Sequence, residues 1–122
     1  MVRIYTAQIA KWRKCKELGI PLIDTTVKSG IKIFAPSWDI VSRVKAGTLS
    51  EAGYTEQYLA MMRVSFGSNK EEWLALLRDN EAIAIACYCT AGKFCHRYLL
   101  VEYLVKVCEH FGIEYELCGE IV

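Results

Sequence analysis

The stretch Ala82-Ile-Ala-Ile-Ala-Cys-Tyr88 constrains this chain more than any other. A strand wetted on one face alternates apolar and polar residues. An unbroken apolar run of this length fits a strand covered on both faces, as in parallel sheets flanked by helices. A glycine-containing loop follows it. Then, from Tyr98 to Phe111, Leu99, Leu100, Tyr103, Leu104, Val107 and Phe111 recur at helical spacing. A buried strand, a loop and an amphipathic helix belong to the βαβ unit of a parallel sheet.

The rest of the chain supplies the other parts. Val2 to Thr6 is a short β-type run. Gln8 to Leu18 reads as a helix with Ile9, Trp12 and Leu18 inward, Lys11, Arg13, Lys14 and Lys16 outward, and Gly19 closing it. Ile20 to Asp24 reads as a second strand, with Pro21 tolerable only at its first positions. Pro36 suits a helix start before Trp38, Val41 and Val44. Thr48-Leu-Ser-Glu51 and Ser68-Asn-Lys-Glu71 have the pattern of capping boxes, opening helices that run to about Ser65 and Leu77. Ile113 to Cys118 is the last strand. The expected architecture is α/β. It is a single domain over residues 1–122, with a four-stranded, mostly parallel sheet, helices on both faces and a helical insert.

Composition narrows the classes. With 122 residues and 53% hydrophobic content, one core can form without disulfides. The six cysteines are therefore expected as free thiols, with Cys108 and Cys118 buried and Cys15 ambiguous. A net charge of +1 disfavours a general nucleic-acid coat, so a nucleic acid is the less favoured partner. No apolar stretch is long enough to span a membrane, and Met1 to Thr6 has no signal-peptide character, so a cytoplasmic location is expected. Trp12, Trp38 and Trp73 are expected as core anchors, and the i, i+4 pair Tyr54 and Tyr58 as core packing.

Ligands of open α/β sheets bind beyond the carboxyl ends of the strands. Those ends bring together Tyr5 and Thr6, Asp24 to Lys28, and the loop Cys87-Tyr-Cys-Thr-Ala-Gly-Lys-Phe-Cys-His-Arg97. The loop opens a helix, whose first amides are unpaired and whose dipole is positive there. Gly92 permits close approach, and Lys93, His96 and Arg97 add donors and charge. This suits an anion, although the loop has neither Walker A nor Cys-x5-Arg phosphatase spacing. The expected ligand-binding residues are Tyr5, Thr6, Asp24, Thr25, Lys28, Gly92, Lys93, His96 and Arg97, with Arg63 reaching in from the insert. Arg97→Ala is expected to weaken binding and leave the fold intact. Cys89 and Cys95 are candidate nucleophiles, since thiols near a helix N-terminus, Arg and His have depressed pKa values, with His96 as the local base.

A zinc set of Cys87, Cys89, Cys95 and His96 is the competing use of these residues. Its spacing matches no standard finger, and adjacent Cys95 and His96 diverge by about 100° on a helix. Neither a metal nor a cofactor is expected. The reading at this stage is a protein that binds, and in one version processes, an anionic nucleotide-like small molecule. A non-catalytic, phage-type sequestering protein for a nucleotide signal and a zinc-stabilised interaction module are the alternatives. A homodimer is entertained because the insert offers apolar residues.

The strand ending in Cys87-Tyr88, the loop, and Phe94-Cys95-His96-Arg97 before a leucine-rich helix resemble domain-of-unknown-function family 488 of bacteria and their phages. Ile4-Tyr5-Thr6 and Ile23-Asp24 extend the resemblance over most of the chain. It implies a Rossmann-like fold and a binding or active loop at the Cys-His-Arg motif, with no particular reaction. Members often carry an acidic residue and a lysine after the Cys-aromatic pair. Cys89 and Thr90 stand there instead, so an acid–base role for that carboxylate does not carry over.

Overall fold

A computed structural model of the chain describes residues 1–89 and 94–122. Strand β1 (Val2–Gln8) runs through a short 3-10 turn (Ile9–Lys11) into α1 (Trp12–Leu18), and β2 (Leu22–Asp24) follows. Three helices form the insert, namely α2 (Trp38–Lys45), α3 (Glu51–Ser68) and α4 (Lys70–Arg78). Then come β3 (Ala82–Cys87), α5 (His96–Phe111) and β4 (Tyr115–Ile121). The strands form one sheet in the order β2-β3-β1-β4, and every pairing is parallel. This is the expected α/β architecture. No helix among the described residues is long and apolar enough to cross a membrane.

Strand β3 is buried at all six positions, and its alternation decides what packs where. Ile83 and Ile85 point into the main core with Ile4, Met62, Trp73, Leu100 and Leu104. Ala82, Ala84 and Ala86 point to the other face, with Cys15 and Ile20 of the α1 segment. Alanines there let a short helix lie close to the sheet, while the isoleucines fill the thicker helical layer. The chain leaves β1 toward β2 over one face and returns toward β4 over the other.

Several local expectations are corrected. Trp12 and Trp38 are half exposed, at 48% and 53%, and only Trp73 is a buried anchor. Arg13 stacks over Trp12. Ser50, not Thr48, caps α3 through Gly53 N, because the Thr48 hydroxyl donates to Arg43 O. Helix α3 runs through Ser68, so α4 begins after Asn69, whose side chain donates back to Ser65 O. Strand β2 is three residues long rather than five, and β4 lies at 115–121 rather than 113–118. Cys118 is half-buried because β4 is an edge strand, whereas Cys108 and Cys15 are buried. Tyr54 and Tyr58 are buried and stacked, as core packing requires.

Candidate functional site

A cavity of about 280 Å³ opens beyond the carboxyl ends of β2 and β3. Trp38, Tyr54, Tyr88 and Phe94 give it aromatic surface beside the aliphatic Val27, Pro36, Val41 and Val44. Exposed Lys28 and Lys45 also line it, together with Cys87, Cys89, Cys95 and His96. Lys28 is carried by the loop after β2, Lys45 by the last turn of α2, and Cys95 and His96 by the start of α5.

The β2 loop is built by its own side chains. Asp24 accepts from Thr26 N at 2.9 Å, Thr26 Oγ1 at 2.7 Å and Ser29 Oγ at 2.7 Å. Burial works against the Asp24 carboxylate, but these hydrogen bonds outweigh it and hold its pKa below the ordinary value. Asp24 thus ties the loop that presents Lys28, and it does not line the cavity. Gly30 closes the loop, since a Cβ there would lie 2.4 Å from Thr26 N and O. Gly30→Ala is expected to cost about 1–3 kcal/mol, the usual range for forced overpacking. A urea titration checks it, and an unchanged midpoint would show that the loop relaxes freely.

Thr25 is fully buried and fixes His96. Its hydroxyl donates to Ala86 O at 2.9 Å, so that oxygen can only accept from His96 Nε2, 3.0 Å away. Thr25 O, 2.9 Å from the same nitrogen, can also only accept. Both contacts require the proton on Nε2. Burial, the largest influence, lowers the His96 pKa, so the ring is neutral at pH 7 and Nδ1 carries a lone pair. Cys95 Sγ lies 3.8 Å from that Nδ1.

The sulfurs of Cys87, Cys89 and Cys95 lie within 4.8 Å of one another. Cys89 is exposed, while Cys87 and Cys95 are buried. The Cys89 thiol is held far below its ordinary range, down to about 3. Hydrogen bonds from Cys87 and then Cys95 are the chief cause, and Arg97 and Lys45 add positive charge against the cost of burial. Cys95 is pushed up by Cys87, by Cys89 and by burial, so it keeps its proton. One exposed thiolate supported by neighbouring thiols is the outcome.

Arg97 lies in the first turn of α5, as expected, but it does not reach into the cavity. It is 0% exposed. Its Nη1 donates to Cys87 Sγ at 3.0 Å and Cys89 O at 2.8 Å, and its Nη2 to Tyr98 Oη at 2.9 Å and Glu120 Oε2 at 3.1 Å. Nε has no partner among the described residues. The expected grip on a ligand oxygen is corrected to a buried strut under the sulfurs. Thr6 joins the same network, its hydroxyl donating to Glu120, and it does not line this cavity. Tyr5 sits on the opposite face of the sheet with the α1 cluster. Arg63 is exposed on α3 and close to Tyr103, away from the cavity. Gly92 and Lys93 lie outside the described residues.

Among the described residues the three sulfurs of the zinc alternative stand together, and His96 is not part of that group. A guanidinium already supplies the positive charge beside Cys87. Sequence reasoning missed Glu120, Lys45 and the cavity aromatics Trp38, Tyr88 and Phe94. Lys45 ends a helix in which Trp38, Val41 and Val44 were legible, but the cavity they help to line is formed only by packing.

The family described as the Active DUF488-N3 subclade matches residues 3–107. The chain belongs to that family. No curated protein and no solved structure matches it significantly.

Proposed function

As a member of this subclade, the chain, we propose, binds an anionic nucleotide-like ligand in the cavity beyond β2 and β3 and presents the Cys89 thiolate to it. The observation that carries this reading is the composition of the cavity. Flat aromatic rings offer stacking for a planar base. Two exposed lysines offer charge for phosphate oxygens. A thiolate in its lining offers a nucleophile. The start of α5 adds unpaired amides, although Cys95 provides no side-chain cap.

Isothermal titration with purine and pyrimidine nucleoside 5′-diphosphates tests the binding. Lys28→Ala and Lys45→Ala are each expected to weaken it by roughly tenfold. An exposed charge-assisted hydrogen bond is worth about 1.5 kcal/mol, and that is a factor of ten in affinity. The loss should shrink at high salt. Mass analysis of the recovered nucleotide, for wild type and Cys89→Ser, then separates processing from sequestration. If no nucleotide binds, or both lysine variants bind as wild type does, the reading fails.

A further inference from the structure

We propose that Cys89 and Cys95 form a reversible two-electron redox pair, in which Cys89 reduces a hydroperoxide and Cys95, with His96 as its base, closes a disulfide. The sulfur chemistry needs no nucleotide, so this inference stands apart from the ligand reading and shares only Cys89 with it.

Three features combine in one place. Cys89 is exposed and ionised, which is what an attacking thiol requires. A second sulfur lies within 4.8 Å, so a shift of about 3 Å brings the pair to bonding distance near 2.05 Å. The second thiol also has a base. Cys95 is buried and protonated, and the unprotonated Nδ1 of His96 lies 3.8 Å from its sulfur. Cys87 is the poorer partner, because Arg97 holds its sulfur at 3.0 Å against 3.9 Å for Cys95, and no histidine contacts it among the described residues.

The steps balance. The Cys89 sulfur attacks one peroxide oxygen, the O–O bond breaks, and the leaving alkoxide takes a proton from water. Cys89 becomes a sulfenic acid. Cys95 then gives its proton to His96 Nδ1 and attacks the Cys89 sulfur. The S–O bond breaks, and the departing hydroxide leaves as water with the proton held by His96. Two thiols are oxidised to a disulfide, and one hydroperoxide is reduced to an alcohol and water. A dithiol reductant restores the start.

The test treats the full chain, without nucleotide, with equimolar hydrogen peroxide. Remaining thiols are then blocked with N-ethylmaleimide, and the product is read by intact mass and peptide mapping. The expected wild-type result is four blocked thiols of the six and a Cys89–Cys95 link that dithiothreitol removes. Cys118→Ser, outside the sulfur cluster, should still form that link. Cys95→Ser should stop at a sulfenic acid that dimedone traps on Cys89. Should Cys95→Ser not fold, the wild-type map decides alone. Six blocked thiols, a link through Cys87, or over-oxidation of wild-type Cys89 without a link would each overturn the proposal. Nucleotide binding by reduced protein is measured separately, so failure of either idea is distinguishable from failure of the other.

Discussion

Replacing Arg97 with methionine is expected to lower the midpoint of thermal unfolding by on the order of 10–20 °C. Arg97 is fully buried and the Glu120 side chain is 17% exposed, so the ion pair between them is largely shielded from water. Removing one partner of a buried pair costs about 3–5 kcal/mol, because the other charge is left uncompensated. For a domain of this size, 1 kcal/mol corresponds to roughly 4 °C. Methionine keeps much of the volume, so the loss reports charge and hydrogen bonding rather than a cavity. Thr6 and Tyr98 still donate to Glu120, which places the effect toward the lower end of that range. The double variant Arg97→Met with Glu120→Gln should recover part of the loss, since it leaves no stranded carboxylate. A single variant melting within about 3 °C of wild type would contradict a strut role, because the pair would then be worth less than 1 kcal/mol. The expectation that loss of Arg97 spares the fold belongs to an exposed arginine, which this one is not.

Alkylation by iodoacetamide should be nearly independent of pH for Cys89 between pH 5 and 8, while the rate at Cys118 rises roughly a thousandfold from the lower pH to the higher. Only the thiolate reacts. Below its pKa a thiol loses a factor of ten in reactive form for each pH unit, and Cys118 lies above the ordinary thiol value through burial and its hydrogen bond to Glu116. Cys89 titrates near 3, so protons begin to compete only as the pH falls toward that value. Absolute rates at one pH decide little, because nucleophilicity falls as pKa falls. The slope decides. Peptide-resolved mass spectrometry of timed samples measures both cysteines in one tube. A Cys89 rate that climbs tenfold per unit through this range would show an ordinary thiol and remove the nucleophile from the site. Cys87→Ala combined with Cys95→Ala should restore such a climb, since those thiols are the first-ranked cause of the shift.

The sequence by itself determined the α/β class and the buried β3 strand, and it pointed to a candidate site at the carboxyl edge of the sheet. Each rests on local patterns that survive without tertiary knowledge. An unbroken apolar run demands cover on both faces, a helical apolar stripe demands a sheet beneath it, and a strand-to-helix loop at the carboxyl edge collects polar residues. Burial of Trp73, Tyr54 and Tyr58 follows from the same logic. Trp12 and Trp38 do not, because an apolar residue on a marginal helix face becomes core only if another element arrives to cover it, and among the described residues none buries either ring.

Only the tertiary structure decided what each site residue does. Arg97 reads in sequence as a cation for a ligand, and it became a strut because Glu120, 23 residues later, lies across from it on the edge strand. Asp24 became a loop clasp through neighbours close in sequence, yet nothing local says that Thr25 would meet His96, 71 positions away. The sulfur cluster follows the same rule. Spacing shows that Cys87 and Cys89 share a strand end, but the arrival of Cys95 beside them depends on how α5 docks. The charge state of Cys89 depends in turn on which groups donate to it. Hydrogen bonds act over about 3 Å and burial over one packing layer. Chemistry set by those distances is fixed by the packed chain, and the order of residues along it leaves that chemistry open.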